Sequence, residues 1–534
     1  MPLPARLHRP ALLVFACTLA LALPMAGPVQ AQDGRLPDMG SSAGRVLTPA
    51  EQAGYGAMML AQLRHYGYVL EDPLLGQWLQ GLGQRLGAAS DRPDQAYTFF
   101  LLKERQINAF ATLGGYIGVN AGLILTAERE DELAAVLSHE IAHVSQAHVL
   151  RGVERAQRDS LPILLGMLGA IVAAQASGSR SASDASMAAV FSAQALMMQR
   201  QIDYTRSNES EADRLGIRTL GRSGYDAGAM AGFFERMQAA TRANRGGEDG
   251  RAPDYLLTHP VTTTRIAEAK ERAGRVLAAP ATQGPLAASD NPLIPTGLRV
   301  SIGQARGAGG QFAWARERLR VLSAASAKAA IAEYEQMARR RPLDAAQRYG
   351  LAVARLRDGQ GAPALRELQP LLDAHPGVVW LELAGAEAAH RAGQPAEADR
   401  RFSALNARLP NDRAVAITWA QVLAERNGVE AGRRALAALR PLLGSAGDDP
   451  EFQRVYARAN EIAGDAVRAG EAYAEAEYLT GNPEKALLQL NTLKRRPDLD
   501  YYARARIDAR IAAITPTVLE LRRQGVKDMD QPRG

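Results

Sequence analysis

Apolar residues recur at helical spacing along most of this chain, and the rhythm breaks in two distinct ways. From about Ala127 to Leu150 the positions Leu133, Val136, Leu137, Ile141 and Val144 return every three or four residues, which predicts an amphipathic helix. Residues 48 to about 88 also read as helix: Thr48 can cap it, Pro49 suits a first turn, and Glu51 can bond back to the cap. Between these stretches the pattern shortens. Tyr97 to Leu102 (YTFFLL) is an aromatic and apolar run of strand type, and Asn108 to Ile124 alternates strand-like pieces with Gly114, Gly115 and Gly118, predicting a small sheet with a tight turn. The second break is residues 161–174 (LPILLGMLGAIVAA), almost wholly apolar yet short of the roughly 20 residues a membrane span needs. It reads as a buried helix or hairpin, the alternative being a surface in peripheral contact with membrane or with a partner. Helix resumes over 195–220, a polar loop covers 241–253, and the proline-rich stretch 277–298 is the best domain boundary.

Beyond that boundary a longer period takes over. Pro342, Pro376 and Pro410 are 34 residues apart, and the pairs Gly359 and Gly393, Ala364 and Ala398 repeat the step. A small residue at a helix-turn-helix corner and a proline after the second helix, at this period, is the tetratricopeptide pattern, in which each helix pair buries its face against its neighbours. About four to six repeat-like pairs are expected. The fold class predicted is mainly α: an α+β domain with a small sheet over 48–276, a linker over 277–298, an α-solenoid over 299–515, and a polar tail over 516–534.

Composition adds little to this except by exclusion. With 534 residues and 47% hydrophobic content the chain can build more than one core, and 63 Lys+Arg against 57 Asp+Glu, scattered along the chain, gives no nucleic-acid footprint. The start is different in kind. Arg6 and Arg9 precede an apolar stretch from Ala11 to Leu23 and a small-residue site ending at Ala31, which reads as a secretory signal peptide over 1–31 followed by a polar lead over 32–47. A lipoprotein signal using Cys17 fits less well, because Phe15 stands where a small residue is wanted. Cleavage removes Cys17, the only cysteine, so any metal must rest on His, Asp and Glu.

The stretch Leu137-Ser138-His139-Glu140-Ile141-Ala142-His143 supplies such donors. Histidines at i and i+4 share a helix face and can reach one ion, and a glutamate at i+1 projects beside it as a base. A third ligand must come from elsewhere, and Ser207-Asn208-Glu209-Ser210-Glu211-Ala212-Asp213 offers two carboxylates, Glu209 and Glu211, between which the residues alone do not choose. His148 lies nine residues after His139, about half a turn out of phase on a continuous helix, and is expected to face away. His65, His375 and His390 have no metal-like neighbours in sequence.

Taken together, HExxH, the later N-E-x-E-A-D and the earlier N-A-F-A-x-x-G-G-Y-I resemble the gluzincin zinc metallopeptidases of the HtpX and CAAX-prenyl-protease type. With a signal peptide before and repeats behind, nearly the full length is similar to periplasmic members that act in outer-membrane protein quality control. The resemblance implies a zincin-type domain binding one zinc ion through His139, His143 and Glu209, with Glu140 catalytic and Asp213 hydrogen-bonded to a ligating imidazole. It implies also that His259 can take the open position and hold the enzyme shut; the alternatives are that His259 stabilises the oxyanion or merely starts a helix. Arg265, six residues on, is a partner without a place. An extended substrate would add to a sheet edge, for which Asn108, Ala109, Phe110, Gly114, Gly115 and Tyr116 are the candidates. By resemblance the clients are misfolded or stalled outer-membrane proteins and the repeats dock on the β-barrel assembly complex. A chaperone or scaffold whose protease site is silent is the competing reading.

Overall fold

Thr48 and Glu51 form the reciprocal cap read from the sequence: the Glu51 amide donates to Thr48 Oγ1 at 3.3 Å, the Thr48 amide to Glu51 Oε2 at 2.8 Å, and α1 (Pro49–His65) begins there. The computed structural model describes residues 47–152, 154–155, 204–244, 255, 259–278 and 310–523. The segment read as a signal peptide over 1–31, nearly all of the polar lead over 32–47, residues 161–174, most of the stretch 241–253, nearly all of the stretch 277–298 and the chain from 524 lie outside the described residues.

The helical stretch expected from 48 to about 88 is made of two helices. Asp72 accepts from the Leu75 amide at 3.0 Å and caps α2 (Pro73–Ala88), while Val69 in the connection pairs with Leu102. A cap followed by proline starts a helix afresh, which an apolar period alone does not reveal. Next come β1 (Thr98–Leu102), β2 (Ala109–Ala111) and β3 (Tyr116–Asn120), in the order β1-β3-β2. β3 runs parallel to β1, Thr98 opposite Tyr116, and antiparallel to β2, Ala109 opposite Val119. Tyr116 therefore belongs to the middle strand, paired on both sides; of the expected substrate edge, only β2 and the residues beside it offer an open flank among the described residues.

A short helix α3 (Ala121–Thr126) leads to α4 (Glu130–Ser145), which packs on α2 and on β2. Helices over 204–222, Ala229–Asn244 and Thr263–Ala278 follow. Then the chain becomes a series of helix pairs, six among the described residues, from Phe312–Leu322 with Ala327–Arg340 to Pro483–Lys494 with Tyr501–Arg523, each helix packed on the next. The first helices of three successive pairs start at Ala345, Val379 and Arg413, steps of 34 residues, and Gly359 and Gly393 turn the corners at φ 78° and 77°. The polar tail expected from 516 is in part helix: the last one runs through Pro516 to Arg523 because Ile514 and Val518 are buried on its inner face.

One hydrophobic core runs from Leu70 through α2, the sheet and α4 to Val422 in the repeats, so the regions on either side of 277–298 are packed together. α2 is the shared element. Trp78 meets Phe312 with ring centroids 6.3 Å apart, Gln77 Oε1 accepts from the Ala414 amide at 3.1 Å, and Arg318 grips the Asp72 carboxylate at 2.7 Å with both groups buried. Among the described residues no helix is long and apolar enough to cross a membrane.

Candidate metal centre

α4 buries nearly its whole length, so a polar side chain on it is tolerated only where something answers it. His139 and His143, one turn apart, point their Nε2 atoms at each other across 3.0 Å. The helix over 204–222 comes in close at Gly216, where a Cβ would stand 3.1 Å from the His139 amide nitrogen and 3.0 Å from Met230, and this approach delivers its acidic end to the imidazoles. Glu209 Oε2 lies 3.4 Å from His139 Nε2 and Glu209 Oε1 3.4 Å from His143 Nε2. His259 closes the group, with Nδ1 at 3.3 Å from His139 Nε2 and 2.9 Å from Glu209 Oε1.

These donors fit zinc. A tetrahedral ion with ligand bonds of about 2.0–2.1 Å holds its ligand atoms roughly 3.3–3.4 Å apart; the separations observed here are 2.9 to 3.4 Å, with Glu209 turning one oxygen to each histidine of α4, and one ligand atom from each of the four residues lies within 4.8 Å of the others. The group can thus hold one zinc ion through His139, His143 and Glu209, with His259 at the fourth corner.

Glu140 stands beside the cluster, fully buried, with no side chain within hydrogen-bond distance and His259 Nε2 at 3.7 Å from its Oε1. Burial raises its pKa above the usual carboxylate value, against the pull of His259 and His139. For Glu209 burial works against the charge as well, but the His139, His143 and His259 imidazoles gathered around it hold it far below that range. Two carboxylates within one site are thus tuned apart, one ready to accept a proton and one kept as an anion.

Asp213 comes to the other side of the His139 ring, Oδ1 at 3.0 Å from His139 Nδ1. Arg265, for which the sequence offered no place, holds it with two 2.7 Å bonds, reaches Glu209 Oε2 at 2.9 Å, and donates to the Pro260 carbonyl at 2.9 Å. It lies over the Phe234 ring at 4.9 Å. His148 departs from expectation. α4 ends at Ser145, and Ala147 takes φ 51°, so the helical phase resets and His148 turns back to put its Nδ1 2.8 Å from His143 Nδ1. Its Nε2 donates to Glu211 at 3.0 Å, and Arg151 donates to the same carboxylate at 2.8 Å. Sequence reasoning missed this set. The signal lay in the spacing Glu209, Glu211, Asp213: the acid two residues on, some 200° around the helix, needs a partner of its own.

Of the expected substrate residues, Asn108, Ala109 and Phe110 lie at or beside the open strand β2, although the Phe110 ring turns inward against Phe100 at 6.0 Å. Gly114 and Gly115 join Ala111, Thr112 and Ala147 in lining a cleft beside His143. Tyr116, on the middle strand, packs against α1, where a Cβ on Gly56 would meet its ring at 2.3 Å.

In the metal-free chain both His139 nitrogens face carboxylates. Burial opposes its charge, but hydrogen bonds to Asp213 and Glu209 win and lift its pKa to about 10, whereas burial pushes His143 down to about 3. Zinc must displace the His139 Nε2 proton, so affinity is expected to rise about tenfold per pH unit between roughly pH 6.5 and 9. Competition with a chromophoric chelator across that range tests this, and a flat profile would show His139 already neutral. The sign for stability is opposite: His139 supports the metal-free fold fully below about pH 6.5, its unfolded value, and that support is lost as pH rises through about 10.

A protein-family model described as peptidase family M48 matches residues 73–273. The beta-barrel assembly-enhancing protease of Yersinia pestis is 30% identical over 507 residues, covering 92% of this chain and 96% of the relative. The protein of the same name from Escherichia coli (strain K12) is 32% identical over 380 residues, 70% of either chain. A Vibrio cholerae relative of that group is 40% identical over 256 residues, which is 48% of this chain and only 51% of the relative.

Proposed function

The chain belongs to peptidase family M48, the zinc-dependent metallopeptidases, and we propose that it is a periplasmic zinc endopeptidase that degrades misassembled outer-membrane proteins. The observation that carries this reading is the tetrad His139, His143, Glu209 and His259 with the buried Glu140 beside it, 3.7 Å from His259 and free of side-chain hydrogen bonds. A scaffold has no physical need to bury a base next to a metal site. The names of the Yersinia and Escherichia relatives support β-barrel assembly as the setting.

When bound, zinc supplies a Lewis acid that polarises a peptide carbonyl and brings the pKa of water down toward about 7. Glu140, its proton affinity raised by burial, takes the proton of the attacking water and passes it to the amide nitrogen as the bond breaks. The substrate backbone adds to the open edge of β2, a strand that packs on α4, and its side chains enter the cleft lined by Ala111, Thr112, Gly114 and Gly115. The repeats hold the partner, the β-barrel assembly complex or a client segment, as serial helix pairs do with protein segments.

His259 acts in this reading as a built-in stopper at the fourth corner, because a fourth protein ligand leaves no open position for catalysis. The mature chain from residue 32 with His259→Ala is expected to cleave casein about tenfold faster or more, the gain being set by the fraction of unblocked wild-type molecules. Chelation and the Glu140→Gln background must abolish that gain. Slower cleavage by His259→Ala with zinc retained would move His259 to oxyanion stabilisation, and zinc without cleavage in either form would favour the scaffold.

A further inference from the structure

The helix over 204–222 carries three acids at alternate positions, and the two described so far each serve the ion or a ligand directly: Glu209 faces both Nε2 atoms and Asp213 faces His139 Nδ1. Glu211 points some 200° away from Glu209 around the helix and reaches neither. His148 bridges the gap. Glu211 is ionised between Arg151 at 2.8 Å and Arg214 at 3.9 Å, so at 3.0 Å it accepts from His148 Nε2–H. A neutral His148 then has its lone pair on Nδ1, which at 2.8 Å accepts from His143 Nδ1–H. That leaves the His143 lone pair on Nε2, the atom aimed at His139 and Glu209.

We propose that His148 and Glu211 are positioning residues for zinc, a two-step relay that fixes the tautomer and ring angle of His143 as Asp213 does for His139 in one step. The backbone is shaped for it. Ala147 is one of only two non-glycine residues at positive φ among the described residues, a conformation an alanine adopts only against steric cost, and it is this turn that swings His148 back onto His143. The Tyr204 hydroxyl donates to the His148 carbonyl at 3.2 Å and holds the far side of the same turn. The asymmetry has a consequence in charge. His139 meets its carboxylate directly, whereas His143 meets one only through a neutral ring, which makes His143 the weaker donor of the pair.

The inference rests on the zinc reading given above, and its test reads the metal rather than turnover. Zinc affinity by chelator competition and the visible spectrum of the cobalt-substituted protein are to be measured for the mature chain, for His148→Leu and for His148→Gln, with the melting temperature of each metal-free form. Glutamine can accept from His143 and donate to Glu211; leucine can do neither. Zinc affinity is expected to fall about 10–100-fold in His148→Leu, with a shifted cobalt spectrum, and to return to within a few-fold of wild type in His148→Gln. Equal affinities in all three proteins, or equal losses in the two variants, would overturn the relay. Should His148→Leu not fold without metal, the glutamine variant decides alone: wild-type affinity and spectrum support the relay, and a tenfold loss sinks it. A wild-type chain that holds no zinc would instead remove the metal reading itself.

Discussion

Glu140→Gln is expected to lose peptidase activity by about 10²–10⁴-fold while keeping its zinc, the range that proton transfer by a positioned base supplies. Amide and carboxylate have the same shape, and Glu140 is not among the four donors that converge, so metal binding should be untouched. The same change should raise the melting temperature near pH 8. The carboxylate is fully buried with no side-chain hydrogen bond, and its folded pKa is raised above the unfolded value. The folded state therefore loses stability as pH rises from about 4.5 through the folded pKa, a cost that an uncharged glutamine lacks. Activity and melting measured on one preparation check both halves. A variant that melts lower and loses zinc would mean that Glu140 shapes the site; one that stays active would move the chemistry elsewhere.

Arg318→Ala is expected to destabilise the whole assembly by about 3–5 kcal/mol, the usual consequence of stranding one member of a buried ion pair. Arg318 makes three contacts of 2.7 to 3.0 Å with Asp72, which also caps α2 through the Leu75 amide. Burial opposes its charge, but Asp72 beside it keeps the guanidinium pKa well above its ordinary value. Because α2 also packs on the zinc helix α4, the loss should reach the active site, and zinc retention on mild denaturation should fall with the melting temperature. Asp72→Asn with Arg318→Met should cost clearly less than the two single changes added together, since neither charge is then left alone. Denaturant unfolding of the four proteins measures this. Additive losses would show that the residues act separately and that the bridge does not couple the protease region to the repeats.

The parts of the site legible in the chain were those set by local spacing. His139, Glu140 and His143 are a one-turn constellation, and any helix through them gives the same geometry. Choosing Glu209 over Glu211 needed resemblance, because both sit on one stretch and only the docking of one helix on another, at Gly216, says which carboxylate faces the imidazoles. His148 was misjudged for a related reason. Phase counting assumes an unbroken helix, and the Ala147 turn breaks it with a residue that carries no breaker signal. The two-helix reality of 48–88 escaped the apolar period likewise, although Asp72-Pro73 was a start signal in plain view.

By itself the sequence determined what depends on near neighbours along the chain: a mainly helical fold with a small sheet, the 34-residue step of the repeats, the Thr48 cap, and the one-turn spacing of His139, Glu140 and His143. Only the tertiary structure decided what depends on distant groups meeting. It gave Arg265 its place across Asp213 and Glu209, put His259 at the fourth corner, made β3 the middle strand and β2 the open one, and fused both regions through Asp72 and Arg318. The physical reason is range. Backbone periodicity and capping are settled within one or two turns of chain, whereas an ion pair or a shared core costs too much to desolvate until folding has brought its remote partners together.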